Sequence, residues 1–137
     1  MIEFNNLSDV AVDKRFFWGV AKKVLKGENK ELENLSIAFV NPEEIKKANK
    51  KYRKKDKPTD VLSFGKGKNF KEDFLEVIIC PQVIYEKTLD SSLIFREELT
   101  KALIHGILHS LGYDHEKSRK EAEIMEGREK NYFYKIR

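Results

Sequence analysis

The chain has 137 residues, 40% of them hydrophobic and 36% charged, with a formal net charge of +4. That length suits one domain, residues 1–137, with room for a real core, and no apolar run approaches the ~20 residues of a membrane span. The single cysteine, Cys80, excludes an internal disulfide, and with an N-terminus lacking a basic or apolar leader it points to a reducing, cytoplasmic setting.

Ile2 to Asn5 is expected to be a short strand. Asp13 to Lys26 reads as an amphipathic helix: Phe16, Phe17, Val20, Ala21, Val24 and Leu25 recur at helical spacing and Gly27 is a stop. Leu35, Ile37 and Phe39 alternate with Ser36 and Ala38, the period of a strand. Asn41 as cap, Pro42 at the first helical position and Glu44 at the capping-box position start a helix that runs to Tyr52 or Arg53. A polar loop from Lys54 to Asp60 leads into a short strand, Val61 to Phe64, and a glycine-bearing turn, Gly65 to Asn69. Leu75 to Cys80 is apolar on both faces and therefore a central strand, with Cys80 a small buried residue. Pro81 opens a short helix to Lys87. Ser91 or Ser92 is expected to cap a long helix reaching Leu111, and Ser118 to Glu121 form a capping box for a last helix with Ala122, Ile124 and Met125 inward. The sum is an α+β fold, a single compact domain in which a small mixed sheet is covered by helices.

All three histidines fall in the stretch His105-Gly106-Ile107-Leu108-His109-Ser110-Leu111-Gly112-Tyr113-Asp114-His115. His105 and His109 are four residues apart on an expected helix, so both imidazoles share one face. Gly112 ends that helix, because glycine tolerates the left-handed turn at a C-terminus, and the chain doubling back lets His115 return to the same point. Three neutral imidazoles on one side are the ligand set of a catalytic zinc, one per chain, with a fourth position left for water. The spacing matches the metzincin zinc-peptidase pattern except at Gly106, where those enzymes carry the glutamate that serves as general base. A glycine moves no proton, which counts against a peptidase. The competing reading is a helix with two ordinary histidines and an unrelated third.

Between Lys46 and Lys57 stand Lys46, Lys47, Lys50, Lys51, Arg53, Lys54, Lys55 and Lys57, with Asp56 the one acid. Such a run by itself is a solvated helix face. Beside a metal site it matches the footprint of a phosphate backbone, and Tyr52 offers a ring for a base to stack on.

The stretch from Tyr52 to Phe64, with Lys54-Lys55-Asp56-Lys57-Pro58-Thr59-Asp60-Val61-Leu62-Ser63 inside it, and the stretch from His105 to His115 together resemble the signatures of the bacterial YbeY family. The resemblance implies a single-strand-specific metallo-endoribonuclease of ribosomal RNA maturation, acting at the 3′ end of 16S rRNA and in ribosome quality control. It implies that His105, His109 and His115 bind zinc, that Arg53 is essential and lies near the metal, and that RNA and the ribosome are partners, with ribosomal or ribosome-assembly proteins beside them and no membrane. Where the family usually shows Gly-Asp before the central strand, this chain has Leu75-Glu76.

Arg53 and His105 are the candidate catalytic residues, and Lys50, Lys51, Lys54 and Lys55 the candidate RNA contacts. Arg53 brings a planar, always-charged fork suited to phosphate, or else makes a surface ion pair with Asp56 or Asp60. Asp114 is a candidate to orient a ligand imidazole or to hold the turn, and Glu76 is a second carboxylate candidate. No residue stands out as general base, and water and the ribose 2′-OH are both open as nucleophile. Two further readings stand beside the ribonuclease: an RNA-binding assembly factor whose zinc mainly stabilises the fold, and a peptidase.

Overall fold

Strands and helices alternate over the first part of the chain and three helices close it, in a computed structural model that describes residues 1–66 and 73–136. Their order is β1 (Ile2–Asn6), α1 (Lys14–Gly27), β2 (Asn34–Phe39), α2 (Pro42–Arg53), β3 (Val61–Phe64), β4 (Phe74–Ile79), α3 (Pro81–Thr88), α4 (Phe95–Ser110) and α5 (Arg119–Ile136). The four-stranded sheet has the order β1-β2-β4-β3. β2 pairs in parallel with β1 and with β4, and β3 pairs antiparallel with β4, which makes the sheet mixed and β3 an edge. The turn expected over Gly65 to Asn69 lies, beyond Lys66, outside the described residues.

Strand alternation sorts the side chains into two layers. Phe4, Leu35, Ile37, Phe39, Leu75, Val77 and Ile79 share the main core with α1 and α4. The opposite face carries a smaller core of Val40, Ile45, Leu62 and Cys80 under α2. β4 is an interior strand buried on both faces, with Leu75, Val77 and Ile79 on one and Glu76 on the other.

α4 is buried almost all round. Leu99, Leu103, Ile104, Ile107 and Leu108 are each at most 1% exposed. At about 1.5–3 kcal/mol for each such side chain removed from water, this helix is anchored on the order of 10 kcal/mol before entropy is counted, and it offers a rigid platform. It lies close on the sheet at Gly106: a Cβ built there would lie 2.7 Å from Val77 Cγ1 and 3.0 Å from Val61 Cγ2. Ser63 Oγ donates to the Gly106 carbonyl at 2.8 Å and ties the edge strand to the helix.

The helices depart from the sequence expectation in three places, two of them caps. α4 begins at Phe95, not behind Ser91 or Ser92, because Ser91 Oγ is spent on its own turn, donating to the Thr88 carbonyl and accepting from Leu93 N–H. Asn41 caps α2 without its side chain, which instead accepts the Asp9 N–H at 2.9 Å. Ile124 is 47% exposed, while Met125 on the same helix is fully buried. The other caps form as their residues dictate: Asp13 Oδ1 accepts from Phe16 N–H, and Ser118 Oγ from Glu121 N–H, each at 3.1 Å.

Candidate active site

The C-terminus of α4 is closed by two reversed hydrogen bonds, Gly112 N–H to the His109 carbonyl and Tyr113 N–H to the Leu108 carbonyl. This Schellman arrangement needs a left-handed residue at its corner, and Gly112 supplies it with φ of +112°. The reversal carries the chain back over the last turn of α4. Ring centres of His105 and His115 then lie 5.3 Å apart, those of His109 and His115 6.3 Å, and those of His105 and His109 6.4 Å.

Each helical imidazole is held from behind. His109 Nδ1 lies 2.7 Å from the Tyr113 carbonyl oxygen, and His105 Nδ1 lies 3.1 Å from Glu129 Oε1 of α5. A carbonyl accepts only, so His109 carries its proton on Nδ1 and keeps Nε2 as a lone-pair donor. The Glu129 hydrogen bond raises the pKa of His105 above the ordinary imidazole value, while burial pulls the other way.

The donor set fits a zinc ion in kind, and one of its three pairs fits in spacing. A metal ~2.1 Å from each of three nitrogens at tetrahedral angles holds imidazole centres roughly 5 Å apart. The closest pair here matches that, and the other two are wider by about an ångström. In the side-chain positions of this structure no group of His, Cys, Asp or Glu among the described residues has closed to a ligating arrangement. His115, whose side chain is 45% exposed on a turn, has room to move inward.

The imidazoles open on a cavity of about 320 Å³, lined also by Arg53, Thr59, Asp60, Val61, Leu62, Ser63, Phe64 and Glu116. The edge strand β3 thus forms one wall, α4 and its return loop the other, and Arg53, the last residue of α2, lines the same space. Asp56 and Asp60 pair with lysines rather than with Arg53: Lys50 Nζ is 4.0 Å from Asp56 and Lys87 Nζ 3.2 Å from Asp60. Lys50, Lys51, Lys54 and Lys55 are exposed along the end of α2 and the turn after it, where Lys54 takes a left-handed φ of 59°. The Tyr52 ring sits edge-on to Phe64 at 5.0 Å.

Asp114, next to His115 in sequence, does not itself line the imidazoles' cavity. Its Oδ1 accepts the Glu116 N–H at 2.9 Å, so it holds the turn. Glu76 is 7% exposed, and alternation along β4 places it on the α2 face of the sheet, opposite the Val77 side chain that meets α4. It does not line the cavity either.

Two carboxylates that the sequence did not single out frame the site instead. Glu129 stands behind His105. Glu28, at the end of α1, accepts from Tyr113 Oη at 2.6 Å and from Tyr132 Oη, with Arg128 Nη1 3.6 Å away. Tyr113 is also the residue whose carbonyl holds His109, so Glu28 pins the return loop to α1 and α5. A signal for Glu129 did exist: with Met125 and Tyr132, both buried, it falls on the i, i+4, i+7 stripe that α5 turns inward.

Fold and site together define an α+β domain with an imidazole cluster at the end of its central helix and Arg53 on the cavity it opens on. A profile of the family described as Endoribonuclease YbeY matches residues 3–137. An Endoribonuclease YbeY of Persephonella marina is 38% identical over 135 residues, covering 96% of this chain and 88% of the relative. One of Bdellovibrio bacteriovorus is 40% identical over 107 residues, 77% of this chain and 69% of the relative. The solution structure of TM1509 from Thermotoga maritima superposes with a TM-score of 0.70 at 28% identity, over 99% of this chain and 89% of that one. This chain belongs to the YbeY endoribonuclease family.

Proposed function

We propose that this protein is a zinc-dependent, single-strand-specific endoribonuclease of the cytoplasm. It acts in ribosomal RNA maturation, at the 3′ end of 16S rRNA, and in ribosome quality control, with RNA and the ribosome as its partners. The observation that carries the reading is the meeting of His105, His109, His115 and Arg53 on one cavity, in a chain whose relatives bear the name endoribonuclease. His105, His109 and His115 would hold one zinc ion per chain. When bound, the ion supplies a Lewis acid that polarises a phosphoryl oxygen or lowers the pKa of a water towards ~7. Arg53 binds the reacting phosphate through its planar fork and offsets the charge that develops on it. The lysines on the end of α2 draw the strand in by its phosphates. At Gly106 there is neither a base nor room for one, since even a methyl would collide with Val77. A peptidase built on the metzincin plan is therefore disfavoured by packing as well as by chemistry.

The test is incubation of metal-loaded and chelated protein with a defined single-stranded RNA, its duplex and a casein. Cleavage of the single strand alone, lost on chelation and restored by zinc, is expected. RNA bound but uncut under every condition would favour the assembly factor, and casein cleavage the peptidase.

A further inference from the structure

The carboxylate of Glu129 reaches His105 from α5, across 24 residues of sequence, and meets Nδ1 at 3.1 Å. Its side chain and that of His105 are both 29% exposed, so the contact is shielded without being sealed. A carboxylate accepts and does not donate. The proton of the neutral ring therefore stays on Nδ1, and Nε2 is left as a lone pair. His109 reaches the same tautomer through the Tyr113 carbonyl. The two helical imidazoles are thus set alike, one by backbone and one by an acid.

We infer that Glu129 is a positioning residue, which fixes the tautomer and ring orientation of His105 so that Nε2 is offered to a divalent cation. The inference deepens the zinc reading and rests on it. An anionic partner behind an imidazole raises its basicity as a ligand, and loss of such a partner typically costs 10–100-fold in metal affinity. Glu129 acts through His105 and touches neither the cation nor the RNA. Asp114 does not take this part, because its carboxylate is engaged by the Glu116 N–H.

Two measurements on the full chain test it. The first needs no metal. In chelated protein at about pH 9, well above the ~6.5 of free imidazole, ¹⁵N–¹H long-range correlation spectra report which ring nitrogen of His105 is protonated. Wild type is expected to show Nδ1–H, and Glu129→Ala a shift towards Nε2–H; Glu129→Gln, which keeps an acceptor oxygen without the charge, falls between. The second is competition for zinc against a chromophoric chelator. Glu129→Ala is expected to bind 10- to 100-fold more weakly than wild type, with Glu129→Gln recovering part of the loss. Alanine and glutamine are both good helix formers, so the chelated variants should melt as wild type does. If Glu129→Ala does not fold, the glutamine variant carries both readouts. Nε2–H in wild type, or equal zinc affinity in wild type and the folded variants, overturns the role of Glu129 and leaves the metal site standing. A wild type that binds no zinc overturns the metal reading itself, and with it the cation Glu129 is said to serve, even where the tautomer is as expected.

Discussion

Arg53 is where charge and geometry are most separable. It lines the imidazole cavity, while the exposed lysines beside it supply attraction without shape. Arg53→Ala is expected to keep the fold and most RNA affinity and to lose roughly ten- to a thousand-fold in cleavage, the range for removing one transition-state donor. Lysine there should restore part of the rate, since it keeps the charge but not the fork. Single-turnover cleavage at saturating enzyme is the measurement, because it takes binding out of the comparison; a wild-type rate in the alanine variant would remove Arg53 from the chemistry. The Glu28 cluster gives a second residue-scale expectation. Burial and the hydrogen bond to Glu28 raise Tyr132 from 10.0 to about 12, and the same carboxylate raises Tyr113. A raised phenol pKa stabilises the fold fully below the unfolded value of 10.0, and that contribution drains away as pH climbs through about 12. Phenolate absorbance should therefore show a late step that disappears in Tyr132→Phe, and an unchanged late step would place it elsewhere. The three histidines and Arg53 were legible in sequence because their spacing or their motif carries them. Glu129 and Glu28 were not. Glu28 follows a helix with no motif to mark it, and the inward stripe of α5 tells that Glu129 faces the fold but not that it meets His105, a contact 24 residues away in sequence.

At the scale of elements, Gly106 decides how closely α4 lies on the sheet. Two effects compete in Gly106→Ala. Alanine is the better helix former by about 0.8–1.0 kcal/mol. Against that, the new methyl would stand 2.7 Å from Val77 Cγ1 and 3.0 Å from Val61 Cγ2. Valine has little freedom at χ1 to retreat, and Val77 is fully buried, so overpacking of about 1–3 kcal/mol is expected to win. Urea unfolding should show a net loss of up to about 2 kcal/mol at constant m value, the difference of those two terms. A gain would mean that α4 lifts off the sheet without cost. Most element boundaries were legible within a residue or two: Pro42, Gly112 and the Ser118 box punctuate as their backbones require, while α1 runs through Gly27 and turns at Asn29, whose φ is 59°. The start of α4 was not. Ser91 and Ser92 carry a capping side chain, but Ser91 satisfies the preceding turn, and nothing local in the sequence ranks the two uses of one hydroxyl.

Over the whole molecule, what alternation and capping could not supply was strand order. Each strand announces itself locally, but the insertion of β4 between β2 and β3 is fixed by pairings remote in sequence. That order leaves β3 at the edge, where it lines the imidazoles' cavity together with Arg53 from the end of α2. The same order puts α1 and α2 on opposite faces of the sheet, and this allows net charge to be separated from charge position. Reversing Lys50, Lys51, Lys54 and Lys55 to Glu, and separately reversing Lys14, Lys22, Lys23 and Lys26 on α1, changes the net charge equally; all eight lysines are exposed. If RNA binding reads only the overall charge of +4, both variants should weaken it alike. If the end of α2 grips the strand, its reversal alone should flatten the dependence of log affinity on log salt. Single strands give a slope of about −0.7 for each phosphate neutralised, so four lost contacts amount to roughly three units of slope. The Lys50–Asp56 pair does not change this expectation, since an exposed ion pair at 4.0 Å is worth at most ~1 kcal/mol and yields to a phosphate. Fluorescence anisotropy of a labelled single-stranded RNA, with chelator present to prevent cleavage, measures both slopes. Equal slopes in the two variants would reduce the basic end of α2 to a solvated helix face, and a flattened slope confined to the α2 variant would make it the RNA-binding surface of the site.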